Sequence, residues 1–273
     1  MCKACGCSAA THTKQSEKTG SNRLDAKHDH EHDREHDHEH DHAHPHSDGH
    51  THRDDALDAH EQRISVGRRV LERNDQVADR NRAFFDQHGI RVLHLMSSPG
   101  AGKTLLLEKT LALASKDSPI SVLVGDVEQD LDAQRLAAAG GRVKQLNTHG
   151  SCHLDAASIE RELGHFVKPE KGLLIIENVG NLVCPAAFSL GEHAKVVLLS
   201  TPEGEDKPSK YPLIFHDASC IVITKTDLLP YVPFRKEQCE SHIRAVNPKA
   251  PILWLSALTS DGMYRWMEYL RTI

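Results

Sequence analysis

Ser97-Ser98-Pro99-Gly100-Ala101-Gly102-Lys103-Thr104 stands between an apolar run, Arg91–Met96, and a helical pattern, Lys103–Ala114. Strand, glycine-bearing loop and helix start, in that order, make an anion cradle. Gly100 and Gly102 let the backbone around Ala101 turn its N–H groups toward a phosphate, and the positive end of the helix adds to the attraction. Lys103 can reach the β- and γ-phosphates of a nucleotide, and the Thr104 hydroxyl can hold Mg²⁺. The usual pattern opens on Gly, and Ser97 stands in that place. An ordinary strand–helix turn with an incidental lysine is the competing account, and the strand before and helix after weigh against it.

Working outward from this loop, further apolar strand candidates are Ile120–Gly125, Val143–Leu146, Leu173–Ile176, Val196–Leu199, Cys220–Thr224 and Ile252–Leu255. Helical patterns at Cys152–Phe166 and Phe234–Val246 fall between some of them. Short buried strands interleaved with helices predict an α/β fold of the P-loop NTPase kind, a mostly parallel sheet with helices on both faces. Ligands then belong beyond the carboxyl ends of the strands.

Three later segments fall where a nucleotide hydrolase needs them. Asp126 ends the second strand as a candidate Mg²⁺ or water-positioning carboxylate. Glu177 ends the run Leu173–Ile176, with Gly180 as a flexible point near a γ-phosphate. Thr224-Lys225-Thr226-Asp227 closes the sixth strand. A carboxylate at Asp227 can accept two hydrogen bonds from the N1 and N2 donors of guanine, which adenine lacks, so one residue can impose the base. The Lys225 stem would cover the purine face, and Ser256-Ala257 would supply the remaining guanine-contacting loop. The frequent form of the sixth-strand motif is Asn-Lys-x-Asp, from which Thr224 departs. Together these residues favour GTP over ATP.

The chain before this region is of another kind. Of 273 residues, 38% are hydrophobic, yet apolar runs are almost missing before Ala56. Residues 1–55 therefore predict a disordered, metal-binding tail. Residues 56–89 predict a helical segment packed on the domain, with Ile64, Val70, Leu71, Val77, Phe84 and Phe85 at helical spacing and Gly89 as its stop. Residues 90–273 form the nucleotide-binding domain. The net charge of −6 argues against a nucleic-acid partner. No run approaches the roughly 18 apolar residues of a membrane span, and the start has no apolar leader core, so a cytoplasmic protein is expected.

Three groups of residues can bind metal. Cys2, Cys5 and Cys7 offer three thiolates on a short loop, joined by a terminal amine, a set suited to tetrahedral zinc or square-planar Ni²⁺; redox-active cysteines are the alternative. His28, His30, His32, His36, His38, His40, His42, His44, His46, His50 and His52 supply redundant imidazoles, fit for nickel storage. Cys152 and His153, expected to begin a helix after the third strand, and Cys184, beyond Glu177, can meet at neighbouring strand ends. Three protein ligands leave a tetrahedral ion one position for water or a second subunit. Cys220 and Cys239 look structural.

With these motifs the chain resembles the hydrogenase nickel-incorporation GTPases, the HypB family. The resemblance rests on Cys2-Lys3-Ala4-Cys5-Gly6-Cys7, Ser97–Thr104, Gly150-Ser151-Cys152-His153-Leu154-Asp155, and Glu177-Asn178-Val179-Gly180-Asn181-Leu182-Val183-Cys184-Pro185. Glu203–Pro208 and Lys225–Pro230 extend it. Ser97 is ordinary for that family, and Thr224 departs from its usual Asn. The resemblance implies a SIMIBI-type G domain, slow GTP hydrolysis and GTP-dependent homodimerisation. It also implies a tight nickel site at the terminus, a weaker nickel or zinc site in the G domain, a zinc-bearing HypA-type accessory protein and a [NiFe]-hydrogenase large-subunit precursor as destination. Two other expectations compete. One is a urease-maturation GTPase, whose Cys-Pro-His metal motif differs from Cys152-His153. The other is a nickel buffer with a vestigial nucleotide site, against which Lys103, Thr104 and Asp227 argue.

Overall fold

A computed structural model describes residues 52–114, 119–126, 131–148, 150–168 and 171–273. Cys2, Cys5, Cys7 and the histidines from His28 to His50 lie outside the described residues. Helix α1 (His52–His88) leads into β1 (Ile90–Ser97), and α2 (Lys103–Leu113), β2 (Ile120–Asp126), α3 (Leu131–Ala138) and β3 (Arg142–Asn147) follow. After α4 (Ala156–Glu160) come β4 (Gly172–Glu177), β5 (Ala194–Ser200), the short α5 (Lys207–Lys210) and α6 (Pro212–His216), and β6 (Cys220–Thr224). The chain closes with α7 (Lys236–Val246), β7 (Ile252–Trp254) and α8 (Met263–Thr272).

The seven strands form one sheet in the order β3-β2-β4-β1-β5-β6-β7, and every pairing is parallel. Parallel pairing requires crossovers, and alternation along each strand decides which helices cover which face. Leu93 and Leu95 of β1, Ile175 of β4, Val196 and Leu198 of β5 and Val222 of β6 all face α2 and α8, where Leu106, Leu107 and Trp266 fill the space. The intervening residues face the other way. Met96, Val197, Leu199, Ile221 and Ile223 pack with Phe215, Cys239 and Ile243 of α6 and α7. Val92, Leu123, Leu174 and Ile176 pack with Phe85 of α1 and with Leu154 and Ile159 around α4. Trp266 is fully buried, and its indole N–H donates to Thr110 Oγ1 at 2.8 Å, which satisfies that donor.

Helix α1 is fastened to the domain by two asparagines. Asn74 accepts from the Ala156 N–H at 2.9 Å and donates to the Ser189 carbonyl at 2.8 Å. Asn81, fully buried, donates to the carbonyls of Ala156 and Leu190. Gly191 makes the close approach possible, because a Cβ there would stand 2.6 Å from the Ala78 carbonyl oxygen.

Three expectations change. The helix expected over Cys152–Phe166 is only Ala156–Glu160. Asp155 caps it by accepting the Ser158 N–H at 2.8 Å, and a left-handed Gly164 (φ 79°) lies in the turns that follow. Cys152 and His153 therefore lie in the loop before the helix and do not begin it. The last helix of the C-terminal part before β7 starts at Lys236, not at Phe234. Finally α1 starts at His52, so residues 52–55, expected in the tail, have helical backbone.

Candidate functional site

The order in which strands are added reverses about β1, whose carboxyl end lies between those of β4 and β5. A ligand crevice belongs at such a point. A cleft of about 470 Å³ opens there, lined by Gly100, Lys103, Thr104, Asp132, Glu177 and Gly180 among others. Gly100 (φ 74°) and Gly102 (φ 95°) are left-handed, the conformation that turns consecutive N–H groups inward and that a side chain would oppose. Ala101 between them is fully buried. Lys103, only 9% exposed, donates from Nζ to Ser97 Oγ at 2.8 Å. The serine at the head of the loop thus holds the lysine where phosphate oxygens would be met.

Thr104 Oγ1 lies 3.1 Å from Asp132 Oδ2 and 3.5 Å from Glu177 Oε1. A hydroxyl between two carboxylates is an all-oxygen donor set, which fits the hard, partly hydrated Mg²⁺ that nucleotide hydrolases use. Asp132, at the start of α3, had not been singled out from the sequence. Its sequence signal is slight, a carboxylate six positions after Asp126 with Arg135 three residues on. Arg135 pairs with Glu108 at 2.8 Å and stands 3.6 Å from Asp132. The backbone of Asp126 closes β2 beside Asn147 of β3; its side chain lies outside the described residues.

The residues expected to meet the base converge from two loops. Ser256 Oγ donates to Asp227 Oδ1 at 2.5 Å, and the Thr226 N–H reaches the Leu255 carbonyl, so the sixth and seventh strand ends hold each other. Lys225 takes a left-handed φ of 57°. That bend brings its stem across the phosphate loop, where Cε would be 4.0 Å from a Cβ placed on Gly102. Thr224, the departure from Asn, is buried and donates from Oγ1 to the Ala101 carbonyl at 2.7 Å. The hydroxyl thereby ties the end of β6 to the loop before α2. Ala257 is buried beside Leu255 in the core beneath α8.

Cys152, His153 and Cys184 come together, their ligand atoms all within 4.8 Å of one another. Cys152 Sγ and His153 Nδ1 are 3.6 Å apart. Tetrahedral ligands at about 2.3 Å from an ion stand roughly 3.7 Å from each other, so the set needs little closure to hold zinc or nickel. The His153 ring packs on Phe188 at 4.0 Å. Burial lowers its pKa against the opposing pull of Asp155, which favours the neutral, ligating imidazole. Cys220 and Cys239, by contrast, are pushed up to about 12 by burial, which suits packing and not ligation.

Gly180, four residues before Cys184, lies against the phosphate loop. A Cβ there would sit 2.8 Å from Pro99 Cα and 2.9 Å from Pro99 N, and backbone cannot yield as a side-chain tip can. Gly180→Ala is therefore expected to push the segment after Glu177 away from the phosphate loop. At about 1–3 kcal/mol for overpacking, single-turnover GTP hydrolysis should slow by roughly 5- to 150-fold. An unchanged rate would show that this contact opens when nucleotide binds.

Residues 91–254 match the family described as CobW/HypB/UreG, nucleotide-binding domain. The hydrogenase maturation factor HypB of Azotobacter chroococcum mcd 1 is 46% identical over 207 residues, covering 76% of this chain and 68% of its own length. That of Escherichia coli (strain K12) is 47% identical over 203 residues, covering 74% of this chain and 70% of its own. Among solved structures, HypB from Helicobacter pylori in complex with nickel is similar with 37% identity and a TM-score of 0.68, over 73% of this chain and 94% of that one. The hydrogenase maturation factor HypB from Archaeoglobus fulgidus gives 36% identity and 0.69, over 74% and 98%.

Proposed function

Because the chain belongs to the HypB family of hydrogenase maturation factors, we propose that it is a GTP-hydrolysing nickel metallochaperone serving a [NiFe]-hydrogenase large-subunit precursor. The observation that carries this is the convergence of Cys152, His153 and Cys184, the last of them four residues beyond Gly180 of the cleft lining. Nickel is cargo here and GTP the switch. Lys103 and the N–H groups around Gly100 and Gly102 hold the phosphates, and Asp227 with Ser256 selects guanine. Thr104, Asp132 and Glu177 would hold Mg²⁺, with Asp126 as a further candidate, and the ion would offset the phosphate charge. Glu177 and Asp132 are then placed to orient the attacking water.

Cys2, Cys5 and Cys7 would form the tight nickel site, and the histidines from His28 to His52 the store behind it. The internal three-ligand site takes nickel or zinc and leaves one position for a second copy of the chain, which fits GTP-dependent dimerisation. A HypA-type accessory protein would receive or supply the metal, in the cytoplasm. Among the described residues no helix is long and apolar enough to cross a membrane.

Nickel release tests the proposal. The nickel-loaded protein is mixed with a chelating dye in the presence of GDP, GTP or a non-hydrolysable GTP analogue. Release should differ at least several-fold between the GDP and analogue states. Identical release in all three would remove GTP from the delivery step.

A further inference from the structure

Ile120 of β2, Leu173 of β4 and Arg91 of β1 are register partners across three neighbouring strands. They lie on the sheet face that carries Val122, Ile175 and Leu93 one row further in, and that inner row is core. The outer row is not fully covered. Arg91 is the one exposed residue of β1, although β1 lies at the centre of the sheet. The carboxyl-terminal parts of α2 and α8 supply Leu113, Met267 and Leu270, and a cleft of about 400 Å³ opens between them and this row. It stands at the end of the sheet opposite the phosphate loop. From Arg91 to Ser97 is six residues of strand, roughly 20 Å.

Two kinds of side chain meet in the cleft. The apolar kind includes Leu113, which is 55% exposed. The charged kind is of one sign, Arg91, Lys171 and Arg271. The Lys171 stem crosses Gly89, where a Cβ would stand 3.1 Å from its Cγ. Other cations close by are paired, Arg82 with Asp86 and Lys195 with Glu192 and Asp217. Among the described residues no carboxylate forms an ion pair with Arg91, Lys171 or Arg271. Arg271 lies in the last turn of α8, where a cation complements the carboxyl end of a helix. Arg91 and Lys171 belong to no helix. A concave apolar lining with a few converging polar groups is how small-molecule sites are built, and a guanidinium matches a carboxylate with two parallel hydrogen bonds.

We propose that this cleft binds a small aliphatic carboxylate, its chain against Leu113, Leu173 and Met267 and its charged end between Arg91 and Lys171. An inorganic anion would leave the apolar walls in water, and an alkyl ammonium would meet like charges. The cleft shares no lining residue with the nucleotide cleft, and the inference stands apart from the proposed nickel-and-GTP function.

Calorimetric titration of the full-length protein with octanoate tests it. Octanoate should bind saturably at one site, with the same affinity whether or not GDP and Mg²⁺ are present in excess. Hexanoate should bind about tenfold more weakly, because each buried CH₂ contributes roughly a fourfold factor. Octylamine and acetate should show no saturable binding over the same range. Arg91→Gln should weaken octanoate at least about tenfold by removing a charge-assisted pair. Lys171→Gln should act in the same direction and serves should the Arg91 protein not fold. Leu113→Asp, at an exposed position, should weaken octanoate at least about fivefold. No saturable octanoate binding would overturn the inference, as would octylamine or acetate binding as tightly as octanoate. Displacement of octanoate by GDP would place it in the phosphate loop and overturn the inference too. So would an unchanged octanoate affinity in both Arg91→Gln and Lys171→Gln.

Discussion

Lys103→Ala is expected to lower GTP turnover by at least about a hundredfold while leaving nickel binding at the terminal thiolates intact. The lysine is nearly buried at the start of α2 and held by Ser97 Oγ at 2.8 Å, so in the proposed GTPase its ammonium would be preorganised where charge develops on the transferring phosphoryl group. A preorganised charge in a cleft shielded from water stabilises the transition state far more than a mobile surface cation. Alanine keeps the helix, since its propensity is the highest of all residues, and removes only the charge and its stem. Phosphate release measured under saturating GTP checks this. Turnover at the unaltered rate would mean that Ser97–Thr104 does not hold the nucleotide phosphates. Terminal nickel binding, followed by chelator competition, serves as the control because Cys2, Cys5 and Cys7 share no residue with the phosphate loop.

Asp227→Asn is expected to reverse the base preference from guanine toward xanthine. The carboxylate, oriented by Ser256 Oγ at 2.5 Å, would accept from both guanine donors. Two charge-assisted hydrogen bonds at about 1.5–3 kcal/mol each give roughly 3–6 kcal/mol, a factor on the order of 10²–10⁴ in affinity. The amide can accept only one of those bonds and turns a donor toward the other, which suits the carbonyl that xanthine carries at that position. Competition between GTP and xanthosine triphosphate reads the change directly. An unchanged preference would show that Asp227 does not meet the base.

The sheet was legible because alternating apolar residues in short strands carry their own register. Leu93 and Leu95 against Val92 and Met96 divide the two faces before any contact is known. The phosphate loop was legible for a similar reason: its chemistry is local, within eight consecutive residues. What escaped is non-local. Asp132 reaches Thr104 across 28 positions, and α3 is short and largely exposed, with Leu136 its fully buried side chain, so little pattern announces it. Asn178 and His94 meet across 84 positions, and a lone histidine in an apolar strand says nothing of its partner. Cys152 and His153 were found by residue type but given the wrong local structure. Apolar spacing continues through that stretch, while the Asp155 cap sets the helix start at Ala156, four residues later than Cys152. Thr224 stands in the sequence only as a departure from Asn, and its bond to the Ala101 carbonyl gives it a structural task.

In the proposed function the metal site and the nucleotide site share the segment from Glu177 to Cys184. Nickel affinity of the full-length Cys2→Ala, Cys5→Ala, Cys7→Ala protein, measured from the thiolate-to-nickel absorption with GDP and then with a non-hydrolysable GTP analogue, tests it most directly. The absorption reports Cys152 and Cys184 and is silent about the histidines. The two affinities should differ by at least about fivefold, and Cys184→Ala should abolish the signal. Equal affinities in the two nucleotide states would contradict the account and leave Cys152, His153 and Cys184 a static metal site beside an independent GTPase.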